Sequence, residues 1–495
     1  MSSRNSYVML LGASMMQLPA LKAIENLGYS SLVVDANPNA PLMALADQRA
    51  VIDLKNVEEL SKFLDEFIEH HTLSGIFTAG TDFSYIVSTL AERYSLPAHT
   101  RQSAIAATDK LRMRTLLHQH GVNVPRFMEL TKDNTTERQL ESALEQADFL
   151  TPYDVVVKPV DSMGARGVIR AKNVKEILLA AESARVYSRS GKVIVEQYLD
   201  GPELSVDALV EGDQIYIHGI ADRHIYYPPY FIEMGHTIPS EQSSEVLEAV
   251  ITEFKKGIRA LGLSHGAAKG DIKVTSNGVF IGEIAGRLSG GYMSGWTYPF
   301  ASGVPVTELA VQLAVGNSIQ ENEANIQEKS LYCAERAIIS IPGVIADLLF
   351  VEDARMIDGV QEIFLRAKVG DTVVFPKNNV EKAGNIIAVA DNYRGASEIA
   401  ESARKIIFLR LEADNAVTRD FLFGRRDTHL QSAFISGKDF SGHTREEILQ
   451  RYEHITGHSP TLYKGDRIME FERAIERGGL QGAVWYYDTF GTIVS

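Results

Sequence analysis

The first hundred residues alternate between short apolar runs and longer amphipathic segments, and this feature constrains the fold more strongly than any other. Apolar runs at residues 7–11, 31–34 and 75–78 predict strands. Residues 18–27 and 57–70 lie between those runs and carry apolar side chains at helical spacing. Because strand–helix–strand units of this spacing are joined by right-handed crossovers, we expect a parallel sheet at the start of the chain.

Beyond this part the pattern becomes that of an α+β protein. Thr108 or Asp109 is predicted to cap a helix that ends before Gly121. Residues 192–199 and 203–211 are interpreted as an antiparallel pair of strands, and the polar stretch at residues 317–329 indicates a boundary. The predicted regions are a parallel α/β domain at residues 1–105, an α+β domain at 106–316, a second α+β domain at 317–412 and a further segment at 413–495.

The last segment, residues 413–495, is predicted to be an additional α+β unit to which the sequence assigns no role. Residues 444–455 and 466–477 are expected to form helices. Residues 483–487, with the sequence Ala-Val-Trp-Tyr-Tyr, are interpreted as a strand because they are rich in β-branched and aromatic side chains.

Composition excludes several classes of protein. The 495 residues carry a net charge of −15, so the chain has no global field that would attract nucleic acid. A single cysteine excludes an intramolecular disulfide and a cysteine-cluster metal site. No apolar run reaches the roughly 18 residues of a membrane span, and the polar residues 1–6 do not indicate a signal peptide. We expect a soluble, cytoplasmic protein with neither nucleic acid nor membrane as partner, and a homodimer as the commonest assembly.

Lys158 lies in an otherwise apolar strand predicted at residues 155–160. A buried ammonium is costly unless it meets an anion, although a lysine on the solvent face of an edge strand explains this residue equally well. A short loop with Gly164, Arg166 and Gly167 follows. Such a loop can fold its backbone N–H groups over phosphates, and it is not a P-loop because no Gly-Lys-Ser/Thr follows. Together these features indicate a nucleoside triphosphate site.

The next apolar strand ends in Glu196 and Leu199, and Glu203 follows two residues after Gly201. A carboxylate and exposed backbone groups at a strand end can bind the edge of a purine, and Glu203 can accept hydrogen bonds from ribose hydroxyls. An ordinary strand and turn explains this segment equally well.

Asp271 and Glu283 flank a hairpin signal at residues 276–278, Ser-Asn-Gly. If residues 277–278 form a two-residue turn, the two acids lie on opposite faces of the hairpin. If all of residues 276–278 form the loop, Asp271 lies directly across from Glu283. That register is unfavourable without a cation, because the two opposed carboxylates repel each other. A bound Mg²⁺ would offset the repulsion, since Mg²⁺ binds one or two carboxylates together with substrate phosphates. Arg287 follows shortly after and can bind a phosphoryl group or a substrate carboxylate.

Taken in order, these residues resemble the ATP-grasp superfamily over residues 7–412, whereas residues 413–495 resemble no family. The resemblance implies a pre-ATP-grasp domain at 1–105, a two-subdomain ATP-grasp domain at 106–316 with a glycine-loop subdomain at about 155–200, and a C-terminal lid-type domain at 317–412. It implies that the cofactors are ATP and Mg²⁺, with Mn²⁺ as a substitute. By resemblance, Lys110, Lys158, Gly164, Arg166 and Gly167 contact the phosphates, Glu196, Leu199 and Glu203 hold the nucleoside, and Asp271 and Glu283 hold the metal. Many members have Asn at the position of Ala285, so the number of metal ions stays open.

Within the superfamily, residues 228–240 are similar to the L-amino-acid ligase group, and so is Pro342-Gly343-Val followed by Gly370-Asp371. This similarity implies an ADP-forming enzyme that joins a small-molecule carboxylate to an amine through an acyl phosphate. Arg287 would bind the acyl phosphate, and Glu233 or His236 would orient or deprotonate the amine, although His236 is equally explained as a surface-loop histidine. An ATP-dependent carboxylase that uses bicarbonate and an ATP-binding regulator without turnover are the alternatives.

Overall fold

The computed structural model describes residues 6–131, 136–320, 331–424, 442–459 and 466–491. The chain begins with a parallel four-stranded sheet, as predicted. Alternate residues of its first strand pack on opposite faces, so Val8 and Leu10 enter one apolar cluster while Tyr7 and Met9 enter another. The strands, in the spatial order β3-β2-β1-β4, are β1 Ser6–Leu11, β2 Ser30–Asp35, β3 Gln48–Val51 and β4 Thr72–Phe77, and the helices are Leu18–Asn26, Val57–Phe67 and Ser84–Arg93.

A second, antiparallel sheet of four strands carries Lys158 and Glu196. Its strands, in the order β5-β8-β6-β7, are β5 Phe127–Leu130, β6 Val155–Pro159, β7 Ile169–Ala171 and β8 Val193–Gln197, with helices Glu137–Gln146 and Val174–Tyr187. Because β6 lies between β8 and β7, the interpretation of Lys158 as an edge-strand residue is wrong.

The largest sheet has eight strands and continues across the boundary predicted near residue 317, since β11 pairs with β14. Its spatial order is β13-β12-β9-β10-β11-β14-β18-β16. The strands are β9 Glu203–Glu211, β10 Gln214–Tyr226, β11 Ile232–Ile238, β12 His265–Thr275, β13 Gly278–Ala285, β14 Tyr332–Ile338, β16 Val360–Leu365 and β18 Gly384–Ala390. Helices in this part are Arg101–Thr108, Lys110–Gln119, Ser244–Ala260, Tyr298–Ser302, Val306–Ala314 and Tyr393–Ile406. Residues 321–329 of the polar boundary stretch lie outside the described residues.

The predicted pairing of residues 192–199 with 203–211 is wrong. The first strand, β8, belongs to the small antiparallel sheet, and the second, β9, lies between β10 and β12 in the large sheet. The chain crosses from one sheet to the other at Gly201, where a Cβ would lie 2.1 Å from the Val274 carbonyl oxygen. Proximity in sequence therefore does not decide the partner, because β9 finds two longer partners elsewhere in the chain.

The C-terminal part packs on a fourth sheet, which has three strands in the order β17-β15-β19. These are β15 Gly343–Leu349, β17 Thr372–Val373 and β19 Phe408–Leu411, next to the helix Val351–Arg355. The helices Ala416–Phe423, Arg445–Thr456 and Asp466–Phe490 follow and share one apolar cluster with this sheet. Among the residues described, no helix has both the length and the apolar character to cross a membrane.

The prediction of a strand at residues 483–487 is wrong, because this segment lies in the second half of the helix Asp466–Phe490. That helix is interrupted at Gly479, which has φ 54° and ψ −141°. Trp485 and Tyr486 are both buried in the apolar cluster of the fourth sheet. A helix turn that is covered on all sides has no polar face, so its sequence cannot be distinguished from a buried strand by periodicity.

Candidate functional site

A cleft of about 790 Å³ lies between the small antiparallel sheet and the large sheet, and residues of the first domain and of β16 complete its walls. It brings together most of the residues predicted from the sequence. Those that line it are Lys110, Lys158, Gly164, Glu196, Leu199, Glu203, Glu233, His236, Asp271, Glu283 and Arg287. Arg166 and Gly167 do not line it.

The loop between β6 and β7 turns through three residues with positive φ, Gly164 at 66°, Ala165 at 58° and Gly167 at 69°. Arg166 folds back, and its Nε donates a hydrogen bond to the Met163 carbonyl oxygen at 3.0 Å. A Cβ at Gly167 would lie 2.9 Å from the ring of Tyr187, so this glycine allows the loop to pack on the following helix. Arg166 and Gly167 therefore shape the loop, while Gly164 lies at the cleft itself.

Lys158 belongs to a buried ionic triad with Glu196 and Arg114. Lys158 Nζ lies 2.6 Å from Glu196 Oε2, and Arg114 Nε lies 2.9 Å from Glu196 Oε1. Burial raises the pKa of Glu196, but Arg114 and Lys158 lower it below its ordinary value. Both carboxylate oxygens are thus occupied by cations, and Glu196 positions Lys158 at the cleft wall. No sequence motif singles out Arg114, although it lies four residues after Lys110 on the same face of one helix.

Asp271 and Glu283 face each other across β12 and β13. Both registers predicted for the turn are wrong, because Thr275 pairs with Gly278 and the loop consists of residues 276–277. From that turn Asp271 would face Gly282, but the register shifts by one residue between Asp271 and Ile272. This bulge brings Glu283 opposite Asp271.

Cations surround the two acids. Asp271 Oδ1 lies 2.7 Å from Arg223 Nη1, its Oδ2 is bonded by Lys269, and Glu283 Oε1 lies 3.4 Å from Lys110 Nζ. Burial raises the pKa of Glu283, but Lys110 and Lys269 lower it to about 2, so this carboxylate is ionised. No group of three or more His, Cys, Asp or Glu side chains suited to a metal ion occurs within the described ranges. Two carboxylates together fit Mg²⁺ that completes its coordination with phosphate and water oxygens.

Comparison with known families decides the identity of this region. The model of the ATP-grasp domain matches residues 151–295, and that of L-amino acid ligase C-terminal domain 2 matches residues 336–412. This chain carries an ATP-grasp domain. The resemblance predicted from the sequence, to the ATP-grasp superfamily and its L-amino-acid ligase group, is confirmed.

Solved structures share the fold of this chain, and a curated relative matches part of it. The L-amino acid ligase of Bacillus licheniformis superposes with a TM-score of 0.70 at 19% identity, over 83% of this chain and 99% of that one. The biotin carboxylase domain of the Hydrogenobacter thermophilus 2-oxoglutarate carboxylase superposes with a TM-score of 0.64 at 15% identity, over 91% of this chain and 98% of that one. The carbamoyl phosphate synthase large chain of Thermotoga sp. strain RQ2 is 24% identical over 311 residues, 60% of this chain but only 26% of that protein.

Arg223 is the centre of the acidic network in the ATP-grasp cleft. It lies 2.5 Å from Glu203 Oε1 and 2.9 Å from Glu233 Oε2, in addition to its contact with Asp271. Burial raises the pKa of Glu233, but Arg223 and Lys382 lower it well below its ordinary value. A carboxylate of such low pKa is a weak base and a good acceptor for an N–H donor. The sequence offered no signal for Arg223, because a single charge in a partly polar strand is usually exposed.

His236 is buried in β11, at 2% exposure, so the interpretation of this residue as a surface-loop histidine is wrong. Its Nε2 lies 2.7 Å from Thr297 Oγ1, and its Nδ1 lies 3.5 Å from Glu335 Oε2. Burial raises the pKa of Glu335, but the hydrogen bond to His236 and the charge of Lys382 lower it. Both ring nitrogens are thus oriented by neighbours, and the ring lies at the cleft wall in a defined position.

One part of the cleft lining is apolar. Tyr292 and Phe364 stack there with ring centroids 4.2 Å apart and planes 9° apart. Met15, Met16 and Met293 contribute thioether side chains to the same lining. Methionine side chains adapt to differently shaped apolar groups, so this part of the ATP-grasp cleft suits a substrate side chain rather than a phosphate.

Proposed function

We propose that this chain is an ADP-forming ligase that joins a small-molecule carboxylate to an amine through an acyl phosphate. The observation that carries the proposal is the placement of Asp271 opposite Glu283 in one cleft with Lys110 and Arg287. The L-amino acid ligase C-terminal domain at residues 336–412 supports an amino acid as one substrate. The apolar side chains in the cleft lining support a substrate that is larger than bicarbonate.

ATP and Mg²⁺ are the implied cofactors, and the residues present fit them. Lys110 and Lys158 would hold the phosphates beneath the loop at Gly164, and Leu199 would offer backbone groups to the adenine. Glu203 would accept hydrogen bonds from the ribose. Asp271 and Glu283 would hold Mg²⁺, which when bound neutralises charge that develops on the transferring phosphoryl group.

Arg287 is suited to bind the reacting carboxylate. Its Nη1 donates to the Leu288 carbonyl oxygen at 3.0 Å, and its buried Nε has no hydrogen-bond partner among the described residues. In the first step a carboxylate oxygen bonds to the γ-phosphorus and ADP leaves. In the second step the amine nitrogen bonds to the acyl carbon, the bond from that carbon to the phosphate oxygen breaks, and the leaving phosphate takes the proton that the amine loses. Arg287 would hold the negative charge in both steps, and Glu233 would orient the amine.

The test is ADP release from Mg²⁺-ATP across a matrix of amino acids, offered singly and in pairs. Release that requires two amino acids, with a condensed product of matching mass, supports the ligase. Release with bicarbonate alone would instead establish the carboxylase, the activity suggested by the likeness to a biotin carboxylase domain solved with MgADP and bicarbonate. ATP binding without release from any pair would favour the regulator.

A matched pair of variants completes the test. Glu283→Gln removes one of the two opposed carboxylates and should abolish ADP release while the protein stays folded. Glu352→Gln removes an acid whose side chain is 82% exposed, and it should leave release unchanged. Equal activity of both variants would contradict the proposed role of the acidic pair.

A further inference from the structure

Both backbone groups of Glu233 are bonded by side chains of one segment, residues 378–382, which lies between β17 and β18. The Glu233 N–H donates to Asn379 Oδ1 at 2.8 Å, and its carbonyl oxygen accepts from Lys382 Nζ at 2.9 Å. Strand β14 pairs with β11 at residues 235–238, which leaves the edge of β11 at Glu233 to the 378–382 segment. Glu233 is therefore positioned by a part of the chain that does not belong to its own sheet.

The sheet alone does not fix Glu233. The pairing of β11 with β10 shifts register between Glu233 and Gly235, which leaves Met234 as an extra residue and interrupts the regular ladder. The Glu233 carboxylate also shares its arginine partner with two other acids of the cleft. The place of this carboxylate thus depends on where Asn379 and Lys382 hold the backbone.

The same 378–382 segment supports the tip of the glycine loop, residues 160–168 between β6 and β7. The Asn379 N–H donates to the Gly164 carbonyl oxygen at 2.9 Å. A Cβ at Gly164 would lie only 3.3 Å from Val380 Cγ2, so the loop packs closely on this segment. One residue, Asn379, therefore contacts the glycine loop through its backbone and Glu233 through its side chain.

Asn379 is itself anchored to buried side chains. Its carbonyl oxygen lies 3.5 Å from Arg366 Nη1, and Arg366 Nη2 donates to Asn385 Oδ1 at 2.7 Å. Asn385 is fully buried and donates in turn to Glu335. Because its N–H, its carbonyl oxygen and its side-chain oxygen all have partners, Asn379 cannot turn without losing at least one of these contacts.

We propose that Asn379 is a positioning residue that couples closure of the glycine loop to the placement of Glu233. This inference rests on the proposed ligase function, in which the loop covers the phosphates and Glu233 orients the amine. A nucleotide that holds the loop against the 378–382 segment also fixes the peptide of Asn379, and that residue's side chain holds Glu233. ATP binding thus prepares the amine site, and couplings of this kind typically amount to about 5- to 150-fold.

The first experiment follows amide hydrogen exchange in the full chain, with and without Mg²⁺ and a non-hydrolysable ATP analogue. We expect the analogue to slow exchange at residues 160–168 and also at residues 232–236, by about 5-fold or more. Asn379→Ala keeps the backbone N–H that bonds Gly164. The analogue should therefore still slow exchange at 160–168 in this variant, but no longer at 232–236.

The control is Lys377→Ala, which shortens an exposed side chain of the neighbouring position outside the cleft and should behave like the unaltered chain. Equal slowing at residues 232–236 in Asn379→Ala and the unaltered chain would overturn the coupling. Absence of any slowing at 232–236 in the unaltered chain would overturn it as well.

The second experiment counts ADP and condensed product for a substrate pair that supports ADP release. Where the amine is poorly oriented, water cleaves the acyl phosphate to the free carboxylate and phosphate, and ADP forms without product. Asn379→Ala should raise the ratio of ADP to product by about 5-fold or more and leave the KM for ATP unchanged. Asn379→Asp keeps an oxygen that can accept from the Glu233 N–H, so it should restore part of the ratio.

The ratio separates positioning from a general loss of structure, which would lower ADP and product together. An unchanged ratio in Asn379→Ala would count against Asn379 alone. Absence of ADP release from the unaltered chain with every substrate pair would count against the ligase itself, whereas the exchange experiment would still decide whether the glycine loop and Glu233 are coupled.

Discussion

Asp271 lies directly opposite Glu283 because β13 contains one residue more than β12 between the turn and the acids, and that residue is Gly282. A Cβ at this position would lie 2.9 Å from the Asp271 carbonyl oxygen. Glycine therefore allows the bulge to close tightly. Without the bulge, Asp271 would pair with Gly282, and the side chains of Asp271 and Glu283 would lie on opposite faces of the hairpin.

Gly282→Ala should consequently separate the acids without unfolding the protein. We expect kcat for ADP release to fall by roughly 100-fold, because small misplacements of reacting groups have effects of this size. The control is Gly303→Ala, at a position with φ +82° and open space around the added Cβ. If both variants lose activity in proportion to their loss of thermal stability, the bulge has no special role.

Arg114→Met should destabilise the fold strongly. It removes one of the two cations from Glu196, whose carboxylate is 4% exposed, and leaves a buried charge only half compensated. Breaking a buried pair in this way costs about 3–5 kcal/mol in the free energy of unfolding. Denaturant titration measures that loss, and Arg112→Met, on the exposed face of the same helix, provides the comparison. Similar losses for the two variants would show that the triad contributes little.

Asp207 should make stability depend on pH in the acid range. Burial raises its pKa from the ordinary 3.8 to about 6, despite hydrogen bonds from Ser289 that lower it. Because the folded form holds its proton more tightly, this residue disfavours folding as pH rises from 3.8 to 6, by about 3 kcal/mol in total. Asp207→Asn cannot titrate, so its Tm relative to the unaltered protein should rise across this interval. A constant difference in Tm from pH 4 to pH 7 would contradict the expectation.

Gln481 should hold the last helix against the fourth sheet. Its Oε1 accepts from the Ile341 N–H at 3.1 Å, and its Nε2 donates to Ser340 Oγ at 3.0 Å and to the Leu409 carbonyl oxygen at 2.8 Å. Gln481→Leu leaves these buried groups unpaired, which should lower the free energy of unfolding by about 2–4 kcal/mol. Gln361→Leu, at an exposed position, should change it little. An equally small effect of both variants would indicate that residues 466–491 are a separable appendage.

The sequence by itself predicted the parallel α/β domain, the helix that begins after Asp109, and the order of the residues that line the cleft. These features depend on local patterns: the spacing of apolar residues, the caps, and charged residues placed at strand ends. Each of these patterns lies within one helix or strand. It can therefore be recognised in the sequence even when the packing partners of that element are unknown.

Only the tertiary structure decided which strands pair, where the bulge falls, and which charges are buried. The partners of β9, the burial of Arg114 and Arg223, and the helical state of residues 483–487 all depend on contacts between segments far apart in the chain. A lysine or arginine in a strand or helix has the same local pattern whether it faces water or a buried acid. The difference is the desolvation and the ionic partner that folding supplies, and neither is encoded in the neighbouring residues.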